Sequence, residues 1–219
     1  MSNRTPVWTA WAGVLAAVLF TASLAGFAAL RTDGYSHGTK AVSELGAIGA
    51  PNALAFNVLG FMLPGLLVAV LAFGLHRMLR ASGKAGSGPL LLALSGLFFA
   101  CAGVFPADMA ARSSPTSMLH LAAAMGAGLL FSTAVFPLGA ALRRQLGFTT
   151  LGRATPWFVL FLAANIGWQG VWQATGWVLP GWGQRIAFAG FLLWAALAGW
   201  RLRKGTGTGA PRPGNSTAP

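Results

Sequence analysis

Long apolar runs broken by short polar stretches set the pattern of this chain. Val7 to Leu30 is almost uninterrupted Ala, Val, Leu, Phe, Trp and Gly. At about 1.5 Å of rise per residue, a helix of that length crosses a hydrocarbon core of roughly 30 Å. Five more runs follow, from about Asn52 to Leu75, Pro89 to Phe105, Met118 to Leu142, Pro156 to Leu179 and Gln184 to Trp200. The pattern predicts an all-α fold, a polytopic six-helix transmembrane bundle over residues 7–204. A short head at 1–6 precedes it, and a Gly/Pro/Thr-rich tail at 205–219 is expected to be disordered. Pro51 is expected in a first helical turn, where its missing N–H costs nothing, and Pro64 is expected to kink its span.

Composition agrees with a lipid environment. Only 8% of the 219 residues are charged, against roughly 25% in a soluble domain. The net charge of +12 is therefore read by position and not as a nucleic-acid footprint; no nucleic-acid partner is expected. With six spans, the termini share a side with Arg4, Arg77, Arg80, Lys84, Arg143, Arg144, Arg153, Arg201, Arg203, Lys204 and Arg212, eleven basic residues. The other side holds four: Arg31, Lys40, Arg112 and Arg185. That asymmetry predicts cytoplasmic termini for a multi-pass membrane protein. The single cysteine, Cys101, has no partner for an intrachain disulfide and is expected to be a small buried apolar residue.

All three acidic residues, Asp33, Glu44 and Asp108, fall on the side away from the termini, together with His37 and His120. The polar loop after the first span and the loop after the third are expected to meet over the outer mouth of the bundle. Glu44, Asp108, His37 and His120 are candidate catalytic residues for acid/base work there. His37, Asp108 and His120 are also candidate ligands of a divalent metal in mixed N/O coordination. The structural alternative is that Asp33 pairs with Arg31, Asp108 pairs with Arg112, and His120 anchors a helix end. In the fifth span Asn165, Gln169 and Gln173 recur at i, i+4, i+8, so one helical face is polar. Asn57, Gln169 and Gln173 are candidate substrate-binding residues, with interhelical hydrogen bonding as the structural alternative. A non-catalytic lipid-binding or scaffold role would predict interface sensitivity around small residues such as Gly126, Gly128 and Gly167.

The stretches Ser43-Glu44-Leu45-Gly46, Pro51-Asn52-Ala53 with Phe56-Asn57, Gly103 to Asp108 and His120-Leu121 resemble the DUF-998 family of six-span prokaryotic membrane proteins of unknown function. The resemblance covers roughly residues 10–200. A remoter likeness is to the Frag1/DRAM/Sfk1 group, carried by Ser43-Glu44-Leu45-Gly46, Pro51 and Phe56; Asn52 stands where that group has glutamate. It implies a tie to membrane lipid. The expectation is a membrane protein that handles a lipid or lipid-like headgroup in a polar cavity on its outer face. A metal-dependent intramembrane hydrolase or transferase, and a non-catalytic scaffold or small transporter, are the alternatives.

Overall fold

The computed structural model describes residues 6–84, 86–175 and 180–206, except the side chains of Trp172, Gln173, Pro180 and Thr206. The described residues form six long helices: α1 (Val7–Ala29), α2 (Ala53–Ala81), α3 (Gly88–Val104), α4 (Pro115–Arg143), α5 (Thr149–Ala174) and α6 (Pro180–Thr206). Each packs on its chain neighbours and α6 closes back on α1. The described residues contain no strand, and the all-α bundle is as the apolar runs predict. The predicted tail lies outside the described residues from 207 onward.

Among the described residues, four helices are long and apolar enough to cross a membrane: α1, α2, α4 and α6, while α3 is a shorter apolar helix. Large apolar side chains face outward around the bundle, among them Leu15, Phe73, Leu129, Phe136, Ile166 and Leu193. A water-exposed monomer does not carry such a continuous apolar surface, so the chain is a membrane protein. Cys101 sits on this outer surface and not in the core; a thiol is apolar enough for lipid as well as for protein.

The interior is filled by aromatic rings. Phe20 of α1, Phe61 of α2, Phe99 of α3, Phe131 of α4, and Phe188 and Phe191 of α6 meet at centroid distances of 4.9 to 6.5 Å, mostly edge to face. This geometry suits the ring quadrupoles and leaves little room on the axis. Trp194 completes the stack against Phe131 and donates its indole N–H to Thr155 Oγ1 at 3.1 Å.

Pro51 and Pro156 deviate from expectation. Pro51 lies in a turn ahead of α2, whose first residue is Ala53. Asn52 precedes it in the left-handed region at φ 59°, a conformation Asn tolerates better than most residues. Within α2 the segment Asn57–Met62 is π-helical and ends just before Pro64. Proline removes one N–H and crowds the carbonyl four residues back; a wide π turn takes up that mismatch. Helix α5 also begins earlier than the apolar run, with Pro156 inside it.

The ends of the bundle differ. Arg203 lies over the Trp11 ring at 4.6 Å, which places both described chain ends on one side. The opposite side carries loop 1 (residues 30–52), a 3-10 turn at Val42–Gly46 within it, and loop 2 (residues 105–114).

Candidate functional site

Loop 1 leaves α1 through Arg31, whose guanidinium grips Asp33 with two nitrogens and donates to the Glu44 carbonyl at 3.1 Å. The fork-to-fork hydrogen bonds from Arg31 hold the Asp33 carboxyl below its ordinary range, and the same bonds raise Arg31. Glu44 turns back on its own 3-10 turn. Its Oε1 accepts from the Ala41 N–H at 2.9 Å, and Oε2 stands 3.4 Å from Lys40 Nζ. Asp108 closes loop 2 in the same manner, with Oδ1 accepting from Ala110 and Ala111 N–H at 2.9 and 3.0 Å. Its own N–H donates to Ser117 Oγ at 2.7 Å. The expected Asp33–Arg31 pair forms; Asp108 spends its carboxylate on backbone and not on Arg112.

His120 stands in the first turns of α4 and reaches α3. Its Nδ1 lies 2.8 Å from the Ala102 carbonyl and 2.9 Å from that of Phe105. Two acceptors facing one ring nitrogen require the proton on Nδ1. The chain explains the need: the Ala102 carbonyl would bond the N–H four residues on, but that residue is Pro106. His120 supplies the donor that proline lacks and so ends α3.

Asn57, the first residue of the π segment, donates from Nδ2 to the Gly46 carbonyl at 2.9 Å and is buried. Gly46 lies so close to this amide that a Cβ there would overlap it. The Ile48 N–H donates to the Ala107 carbonyl at 2.9 Å, joining loop 1 to loop 2. The two outer loops therefore meet, as expected, through backbone, while the Asn57 amide ties loop 1 to α2.

The candidate metal ligands do not converge. His37 faces α6, Asp108 serves its own turn and His120 serves α3. Among the described residues no group of three or more His, Cys, Asp or Glu side chains is placed to hold a metal. Each donor already satisfies a backbone group or a cation.

Of the polar centre that does assemble, only His37 was among the sequence candidates. Arg185 of α6 donates from Nε to His37 Nδ1 at 3.1 Å, from Nη1 to the carbonyls of Lys40 and Gly181 at 3.0 and 2.8 Å, and from Nη2 to Tyr35 Oη at 2.6 Å. Tyr35, in turn, donates to the Ala41 carbonyl at 3.2 Å. Arg31 and Arg185 both approach the Tyr35 ring, 5.4 and 5.8 Å from its centroid. Gln184 adds a bond to the Val42 N–H at 2.8 Å. Burial, with the Arg185 charge second, lowers the His37 pKa; burial raises that of Tyr35 against the pull of Arg185. The signals were Tyr35, the chain's single tyrosine, and Arg185, the only cation near the outer start of the sixth span.

On α5 the polar face is partly used for packing. Asn165 donates from Nδ2 to the Gly183 carbonyl of α6 at 3.0 Å, and Gln169 Nε2 lies 3.4 Å from the Asn165 carbonyl. Asn165 Oδ1 is buried without a partner. The side chain of Gln173, the third candidate on this face, lies outside the described residues.

No curated protein and no solved structure matches the chain. The family model described as "Protein of unknown function (DUF998)" matches residues 14–201. That span takes in Gly46, Asn57, Gly103, Asp108 and His120, the residues that tie the outer loops to α2, α3 and α4. The match supports the first of the two resemblances and leaves the second a resemblance only. By that match, which takes in most of its length, the chain belongs to the DUF998 family.

Proposed function

We propose that this membrane protein binds an anionic lipid headgroup at the loop end of the bundle, without chemistry at the carboxylates. One observation carries the reading: among the described residues, Arg185 is held only by neutral acceptors, Tyr35 Oη, His37 Nδ1 and two carbonyls. Four of its five N–H groups are used, none by a carboxylate, so its full charge remains to be met. Arg31 and Lys40 stand near it, each already paired with an acid. A phosphate at the membrane interface has the charge and the acceptor oxygens that such a guanidinium takes. The basic excess at the other end supports cytoplasmic termini, which puts this headgroup in the outer leaflet. Glu44, Asp108 and His120 then serve as supports of the loops, and Asn57 as their pin. The ring-filled interior offers no support for a transport pathway.

The test is thermal unfolding of detergent-purified protein with added phosphatidylglycerol or phosphatidylcholine. Wild type is expected to gain stability from the anionic lipid alone, and Arg185→Gln to lose that gain while Arg185→Lys keeps part of it. Equal responses of wild type and Arg185→Gln would sink the proposal.

A further inference from the structure

An open groove of about 300 Å³ runs down the outer half of α1 where it borders the π segment of α2. Leu19, Ala22, Ser23, Gly26 and Leu30 form one wall and floor, and Leu59 stands opposite. The lining is almost wholly apolar. The trough exists because Ala22 and Gly26, one turn apart, carry little or no side chain, while the widened turn of α2 displaces Leu59 from a regular helical position.

We infer that this groove seats one acyl chain of a phospholipid from the leaflet at the loop end. From Leu19 to Leu30 the groove covers about 16 Å of helix, close to half of a roughly 30 Å hydrocarbon core, the depth of one leaflet. Its mouth is Leu30, followed directly by Arg31 at the level where headgroups lie. A helix from a second copy would need small residues along the whole span. Toward the terminal end, however, the same face of α1 exposes Trp8 and Leu15, which hold another helix away. A flexible chain that ends at mid-membrane fits; a rigid rod that continues does not. The inference stands apart from the headgroup reading, since a chain can lie here beneath any headgroup.

Gly26 gives a direct test, because a Cβ at this position meets nothing within 4 Å. Gly26→Leu therefore fills the groove without disturbing the bundle, and an unchanged lipid-free melting temperature checks this. The measurement is the number of phospholipids retained per protein after a delipidating detergent wash and reloading with phosphatidylcholine, read by native mass spectrometry. Wild type is expected to retain one lipid that Gly26→Leu loses, at least a tenfold drop in the bound fraction. Arg185→Gln is expected to keep that lipid and to lose only the preference for phosphatidylglycerol, so the two proposals fail separately. Equal retention by wild type and Gly26→Leu would overturn the groove assignment. So would disulfide-linked dimers of Gly26→Cys in a Cys101→Ala background, which would give the groove to a second copy.

Discussion

Two helix seams of this bundle are built on opposite principles. Between α2 and α3 the backbones touch: a Cβ on Gly96 would sit 2.5 Å from the Gly65 carbonyl, and one on Gly103 2.7 Å from that of Asn57. Between α5 and α6 the contact includes buried polar bonds, Asn165 to the Gly183 carbonyl and the Trp194 N–H to Thr155 Oγ1, with one amide oxygen left over. The first seam is fixed by exclusion of volume and tolerates no added atom. The second is fixed by directional bonds that pay for only part of the polarity they bury. Steric definition belongs to the α2–α3 seam, and polar definition to the α5–α6 seam.

If that contrast holds, Gly96→Leu should be the most damaging change. Overpacking a backbone contact is expected to cost about 3 kcal/mol or more, read as loss of monodisperse protein or a large fall in unfolding midpoint. A mild effect would mean that the α2–α3 seam can open. Next is Asn57→Ala, which strands the buried Gly46 carbonyl and should cost about 1–3 kcal/mol, with faster proteolysis of loop 1. Normal protease resistance would show that the loop has another anchor. Asn165→Leu, on the amide seam, removes one bond and one orphaned acceptor together, so its net effect should stay within about 1 kcal/mol. A loss comparable to that of Gly96→Leu would erase the distinction between the seams.

The smallest expected effect is one of pH. His37 accepts from Arg185 through an unprotonated Nδ1, and its folded pKa lies below the ordinary value of about 6.5. The neutral ring is the form the fold prefers. Its contribution is therefore complete above about pH 6.5 and is lost as pH falls through the lower folded value. The neighbours are Arg185, which donates to the ring, and Tyr35, which meets it edge-on at 5.6 Å. The unfolding midpoint of wild type should drop modestly across that window, and His37→Gln should flatten the change. An identical slope in both would remove His37 from the linkage.

The spans were legible because an apolar run long enough to cross lipid has few other uses. Their ends were less so: α5 begins at Thr149 through Gly152 and Arg153, too polar for the run, yet helical once its start packs on α4. The gathering of acids and histidines at one end followed from topology alone. Their partners did not, because a carboxylate's choice between a cation and a nearby N–H depends on how a loop turns. Asp108 chose Ala110 and Ala111; Arg185 reached Tyr35 across 150 residues. The His120 anchor had a readable cause in Pro106, but which carbonyl lost its donor needed the end of α3. Among the small residues singled out, Gly126 does lie under the Phe98 ring, while Gly128 and Gly167 face open space. Small size marks where a close approach is allowed, not where it occurs.

The π segment has a consequence for how this fold can drift. A helix advances about 100° per residue, so one residue more or less between Phe56 and Leu63 changes the phase between the two halves of α2. The lower half is keyed to α3 through Gly65, the upper half to loop 1 through Asn57. Deleting Leu59 would leave each half intact, yet swing Asn57 about a quarter turn off Gly46. Residue count within this stretch is thus a dial for the outer loops, and length differences among relatives here should track differences in loop 1.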